Sequence, residues 1–345
     1  MTKLPYELFI ALRYLKAKKR HKAISLNTFI SIGGVSLGVA TLIATLAVMT
    51  GFSEDLRNKI LGTNAHIIVQ GVTRAGISDY KGVVTNIEKI PNVISAAPFI
   101  HNEVMLTSSF GTTGTVIRGI DPLLEGKVTD IARTVKIGDI KSLQSGFKIE
   151  GTMYPGLILG SELARHLAVT IGDTINVVSP TGEIGPLGMI PKFKRFAVTG
   201  IFDSGMYEYD SKLAYISIPD AQKFFNTGDV VSAVAIRIDD IFNAKEIARN
   251  IESNLGPAFF ARDWMEMNRN LFSALLLEKI VMFIILILIV LVAAFNIIGT
   301  LTMIVIEKSR EIAILKTMGA TKRSIMSIFI IQGVLIGIAG TIIGT

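Results

Sequence analysis

The chain is built from three long uncharged stretches and one long polar insertion. Phe29 to Met49 contains no charged residue. As a helix rising 1.5 Å per residue it is about 31 Å long, the thickness of a bilayer's hydrocarbon core. Val281 to Ile306 is a second such run, with Asn296 as its one strongly polar side chain, and Ile325 to Ile343 is a third. Each predicts a membrane-crossing helix, because runs of this length exceed what a buried core helix needs. The first run is longer than the roughly 7–15 apolar residues of a signal peptide and starts further into the chain, so it predicts an uncleaved anchor.

Between the first two spans the periodicity changes. Strands are expected at His66 to Gln70, Val93 to Ile100, Val231 to Ile238 and Ala258 to Ala261, with helices at Tyr80 to Ile90 and Phe242 to Leu255. These form two β-α-β units distant in sequence, one split subdomain at 51–110 with 228–265. The intervening 111–227 reads as β-rich, with strands at Leu157 to Leu159, Thr174 to Val178, Phe196 to Phe202 and Leu213 to Ile218. A helix from Ser161 to Ala168 is expected, capped by Ser161. The fold class is thus an α-helical transmembrane protein with a large extracytoplasmic mixed α/β domain. Its expected parts are a tail (1–22), a first transmembrane helix (23–50), the external domain (51–270), a second helix (271–306), a short loop (307–323) and a third helix (324–345).

Charge orients this arrangement. The tail carries Lys3, Arg13, Lys16, Lys18, Lys19, Arg20 and Lys22 against Glu7, and the 307–323 loop is also basic. Residues 51–277 hold a small acidic excess, so the basic flanks are cytoplasmic and the insertion lies outside. The overall balance of 35 basic to 28 acidic residues, +7, is therefore topological and gives no support to nucleic-acid binding. A mean hydropathy of +0.52 excludes a disordered chain. The absence of cysteine removes disulfides, thiolate metal sites and catalytic thiols. Four scattered histidines leave no basis for a zinc cluster, and no metal site is expected. In the tail, Tyr6 to Lys22, the residues Leu8, Ala11, Leu12 and Leu15 share a helical face; an interfacial helix and a solvated basic stretch both fit.

No phosphate-binding G-x-x-x-x-G-K-[ST] loop, G-x-S-x-G elbow or H-E-x-x-H helix occurs, so no catalytic residue is expected in this chain. The spans also lack Asp, Glu, His and Lys, the groups that carry coupling charge in ion-driven transporters. Any transport must draw its energy from elsewhere, and the apolar path favours an apolar or lipid-linked cargo. Small residues at Gly34, Gly38, Ala40, Ala44, Ala47, Gly333, Gly337, Gly340 and Gly344 suit close helix packing. In the cytoplasmic loop, Ile312, Leu315 and Met318 recur every third residue on a short helix that Gly319 stops. Docking into a partner's groove and tucking beneath the membrane both account for that ridge.

Glu307 to Ala320 resembles the coupling-helix signature of the LolC/LolE lipoprotein-releasing permeases, within the wider MacB/FtsX-type ABC superfamily. Leu12-Arg-Tyr14, Ile32 to Gly38, Val48 to Phe52, Leu56 to Leu61, Gly185 to Pro191 and Phe196 to Phe202 extend the resemblance from about residue 8 onward. The resemblance implies a pair of such permeases, identical or divergent, with two LolD-type ATPase subunits that bind ATP and magnesium. It implies a triacylated lipoprotein cargo passed to a LolA-type carrier at the inner membrane of a Gram-negative bacterium, and a fourth crossing beyond Thr345. The implied coupling residues are Glu307, Arg310, Glu311, Ile312, Leu315, Met318 and Gly319. A carrier-holding hook is implied over 179–195, shaped by Pro186, Gly188 and Pro191, with a polar pad of Lys192, Lys194 and Arg195. Thr45, Val48, Met49 and Phe52 are the implied lipid-cargo cavity. An efflux permease or FtsX-like regulator of cell-wall hydrolases, and a membrane receptor or scaffold that moves nothing, are the rival readings.

Overall fold

The computed structural model describes residues 6–16, 22–73, 75–185 and 188–345. It divides into two compact units, one of residues 1–54 with 271–345 and one of residues 55–270.

In the membrane unit, three helices among the described residues are long and apolar enough to cross a bilayer. The first helix, Lys22–Thr63, runs well past the expected end at residue 50. The run of charges at Glu54, Asp55, Arg57 and Lys59 ends the hydrocarbon stretch but not the helix, because Asp55 and Lys59 pair one turn apart at 2.9 Å. The second helix is Arg269–Glu307 and the third Lys322–Gly344. Thr321 caps the third, its hydroxyl accepting from the Ser324 N–H at 3.2 Å. The tail helix, Tyr6–Lys16, packs on this third helix: Ala11 is fully buried, and the Ser324 hydroxyl donates to Glu7 at 2.9 Å. Leu12 remains exposed, and residues 17–21 lie outside the described residues.

Glycines set the closeness of the third helix. A Cβ on Gly340 would stand 2.7 Å from Val35, and one on Gly344 2.5 Å from the Ser36 carbonyl, whereas Gly337 faces open space. Gly340→Leu is therefore expected to lower the thermal midpoint of the detergent-solubilised protein clearly, and Gly337→Ala to leave it unchanged. Polar groups also meet inside this unit. The Ser31 and Thr300 hydroxyls hydrogen-bond, Ser31 also reaches Asn296 Oδ1 at 3.5 Å, and Gln332 is buried with no partner for its Oε1.

The second unit is organised by one sheet. Its strands begin with β1 (Ile67–Gly71), β2 (Val93–Thr107), β3 (Thr112–Ile120) and β4 (Val135–Gly138). After the small hairpin of β5 (Phe147–Ile149) and β6 (Thr152–Tyr154) come β7 (Gly156–Gly160), β8 (Thr174–Gly185) and β9 (Gly188–Phe202). The last are β10 (Leu213–Ser217), β11 (Ala233–Ile238) and β12 (Phe259–Asp263). The order β12-β1-β11-β2-β3-β10-β7-β9-β4 is joined by β8, which pairs with both β2 and β9. That pairing closes a six-strand circuit of β2, β3, β10, β7, β9 and β8. The β1, β11 and β12 strands, with helices Tyr80–Ile87 and Ala244–Leu255, form the split α/β part. The two expected parts thus share one sheet, and the 15-residue β2 belongs to both. A core of Phe99, Ile120, Ile158, Phe202 and Tyr215 fills one face.

Helix Ser161–Leu167 departs from expectation at its start. Gly160 occupies the cap, and Ser161 is the first helical residue. A Cβ on Gly160 would stand 2.1 Å from the Asp210 carbonyl oxygen, so close backbone approach, not a hydroxyl cap, selects the residue there.

Candidate partner-binding and coupling sites

Strands β8 and β9 form a long hairpin arm. β8 and β9 pair antiparallel from Thr174↔Ala197 to Gly185↔Gly188. The expected hook is thus mostly strand. Its ladder breaks between Ser179↔Lys192 and Glu183↔Ile190, so residues 180–182 stand opposite Pro191 alone. Proline has no N–H to give to a ladder, and Pro180 and Pro191 both sit at this bulge, where none is needed. Gly188 opens β9; Pro186 lies outside the described residues.

Strand alternation separates the expected pad. Lys192 and Lys194 point to one face, Phe193 and Arg195 to the other. Lys194 is already engaged, with Nζ 3.2 Å from Asp220 Oδ1 and 5.2 Å from the centre of the Phe196 ring. The three cations therefore do not converge. The outer face instead presents an apolar row: Phe193 pairs with Val178, which pairs with Met105, and Phe193 is 76% exposed. Charged neighbours hide Phe193 in the sequence; the alternation from Lys192 to Phe196 is the signal that reveals it.

The cytoplasmic loop folds as a helix, Ser309–Thr317. Gly319, at φ +97°, ends it. The Ala320 N–H donates to the Leu315 carbonyl at 3.0 Å and the Gly319 N–H to that of Lys316 at 3.1 Å, a Schellman stop. Lys308 and Glu311 pair at 2.6 Å across its first turn, while Glu307 and Arg310 are exposed. The expected ridge does not stay together. Ile312 packs against Ile304, Ile325 and Phe329, and Leu315 is half-buried. Ile314 and Met318, four residues apart on one face, are the exposed apolar pair, Met318 at 79%.

Thr45, Val48, Met49 and Phe52 follow i, i+3, i+4, i+7 spacing and share one face of the first helix. Val48 and Phe52 are exposed. The Thr45 hydroxyl donates to the Thr41 carbonyl at 2.7 Å, which satisfies its polar group within the helix. These four make one largely apolar wall on the first helix. A groove among the described residues of the membrane unit is lined by Gly34, Gly38, Thr41, Ile289 and Asn296.

Residues 28–254 match the MacB-like periplasmic core domain family, and residues 283–345 the FtsX-like permease C-terminal family. The lipoprotein-releasing system transmembrane protein LolC of Xylella fastidiosa is 38% identical over 99% of this chain and 80% of its own length. LolC of Neisseria meningitidis is 36% identical over 98% of this chain and 80% of its own. The chain belongs to the LolC/LolE family. LolE of Haemophilus influenzae is more distant, at 28% identity over 97% of this chain and 80% of its own length. The arm, the capped loop helix and the apolar wall of the first helix are thus features of a LolC/LolE-type membrane protein with a MacB-like domain.

Proposed function

We propose that this chain is the permease subunit of an ATP-driven complex that extracts lipoproteins from the inner membrane of a Gram-negative bacterium and hands them to a periplasmic carrier. The observation that carries the reading is the alignment of almost the whole chain with lipoprotein-releasing transmembrane proteins. The chemistry of the site agrees. Exposing an acyl chain to water costs about 0.8 kcal/mol per methylene, on the order of 10 kcal/mol per chain, so a lipid anchor needs a continuous apolar route. Val48, Met49 and Phe52 supply one wall of that route, with Met and Phe adapting to chains of variable shape. A paired permease, identical or divergent, supplies the facing wall, and a fourth crossing beyond Thr345 completes the bundle.

With no ionisable group in its spans, the chain takes its work from a LolD-type ATPase, two copies of which dock through Ile314 and Met318. ATP and magnesium belong to that subunit. A LolA-type carrier is held by the hairpin arm, through its tip and the Phe193–Arg195 face. A paired hairpin is a stiff holder, which lowers the ordering cost of binding.

The arm gives the direct test. Phe193→Asp is expected to weaken carrier crosslinking about tenfold or more, whereas Lys194→Ala, which loses only a half-exposed ion pair, changes it less than about twofold. Equal loss in both variants would return the contact to the cationic face.

A further inference from the structure

The second unit contains a cavity that none of these roles uses. It has a volume of 480 Å³ and lies on the sheet face that carries Phe99, His101 and Arg118. Its lining holds three cations, Arg118, Lys212 and Arg262, against one carboxylate, Glu208. Arg262 is fixed at the rim, its Nη2 donating to Gln70 Oε1 at 2.6 Å and its guanidinium 5.5 Å from the centre of the Phe260 ring. Lys212, which is exposed, lines the same cavity.

Arg118 is the unusual member. It is only 6% exposed, and its Cζ lies 4.1 Å above the Phe99 ring. Its Nη2 is ion-paired with Glu125 Oε1 at 3.2 Å but outside hydrogen-bond geometry, its Nε has no acceptor, and Glu125 Oε2 has no donor. A guanidinium carries five N–H donors in a planar fork suited to two oxygens of one anion. The ion pair with Glu125 leaves part of this buried fork without hydrogen bonds beside a cation-lined cavity, and an oxygen ligand reaching the fork would complete it. The Phe99 ring face backs the guanidinium but supplies no hydrogen-bond acceptor.

We propose that this cavity binds an oxyanion, a carboxylate or phosphate group, between Arg118 at its base and Arg262 and Lys212 at its rim. The volume exceeds that of a bare phosphate, so the group is carried on a larger molecule, either a soluble anion or a lipid headgroup. Glu208 at the rim opposes a bulk anionic surface and favours a single group placed against Arg118. The proposal is independent of the lipoprotein-release reading.

His101 lines the same cavity and reports on it. Desolvation of the ring against the sheet and the charge of Arg118 hold its pKa below the ordinary histidine value. An anion seated on Arg118 offsets that charge, so the His101 pKa rises on binding. The full chain in phosphatidylcholine nanodiscs is titrated with inorganic phosphate, and separately with acetate, while the labelled His101 ring is followed by NMR across pH. A saturable upward shift is expected with at least one anion. Its apparent affinity is expected to fall about tenfold or more in the Arg262→Gln/Lys212→Gln double variant, whose changes are at the rim and leave the core intact. A His101 pKa raised by phosphatidylglycerol in the bilayer, and then insensitive to added phosphate, supports the same site and assigns it to a lipid headgroup. No shift in either arm, an unsaturable shift, or full affinity in the double variant overturns the proposal.

Discussion

Met318→Asp is expected to detach the ATPase subunit and to stop lipoprotein release while the permease itself stays folded. Met318 is 79% exposed, so the change removes little internal packing. At an interface it does two things at once. It withdraws an apolar anchor worth about 1.5–3 kcal/mol of burial, and it leaves a carboxylate to be desolvated without a partner. Loss of about 100-fold or more in ATPase affinity follows from the sum, since each 1.4 kcal/mol is about tenfold. Ile314→Asp is expected to behave alike. Ile312→Asp is the contrast: it strikes the cluster of Ile304, Ile325 and Phe329 and lowers thermal stability before any docking is measured. Copurification from mild detergent, read beside a melting curve for each variant, separates the two. Retained ATPase with Met318→Asp would remove the docking assignment.

Glu125→Ala is expected to destabilise the second unit by about 3–5 kcal/mol, because it strands the buried guanidinium of Arg118 without its one carboxylate. Glu125→Gln keeps the shape and a carbonyl acceptor and is expected to cost less. The pH dependence distinguishes them further. Burial raises the Glu125 pKa above the ordinary carboxylate value, against the opposing pull of Arg118 and Thr129. The folded state then binds a proton more readily than the unfolded chain, so this group favours folding increasingly as pH falls from neutrality through the raised pKa. Glu125→Gln removes that contribution. Thermal unfolding of the full chain by circular dichroism, at neutral and mildly acidic pH, measures both effects.

The spans were legible because hydrocarbon tolerates so little: an uncharged run as long as Phe29 to Met49 suits a bilayer and little else. The continuation of the first helix to Thr63 was not, since Glu54 and Asp55 mark the edge of the hydrocarbon while helix geometry persists through pairs such as Asp55–Lys59. The loop helix and its stop at Gly319 could be read from local spacing. Which of its faces is free could not, because Ile312 is claimed by residues of two other helices. The arm was hidden for a related reason. Prolines and glycines suggest a loop, but here they mark the bulge and the turn of a hairpin whose alternation places Phe193 and Arg195 opposite Lys192 and Lys194. Arg118 and Glu125 gave no signal at all, being brought together only by the packing of helix Pro122–Val128 on the sheet.

In the proposed function, this chain couples a partner's ATP hydrolysis beneath the membrane to release of a lipid-anchored protein above it. The most direct measurement reconstitutes the full-length permease with its ATPase partner in proteoliposomes carrying a triacylated lipoprotein, and follows transfer of that lipoprotein to a soluble carrier. Transfer that requires ATP and disappears with Met318→Asp is the predicted result; transfer that proceeds equally without nucleotide, or none despite active hydrolysis, would contradict it.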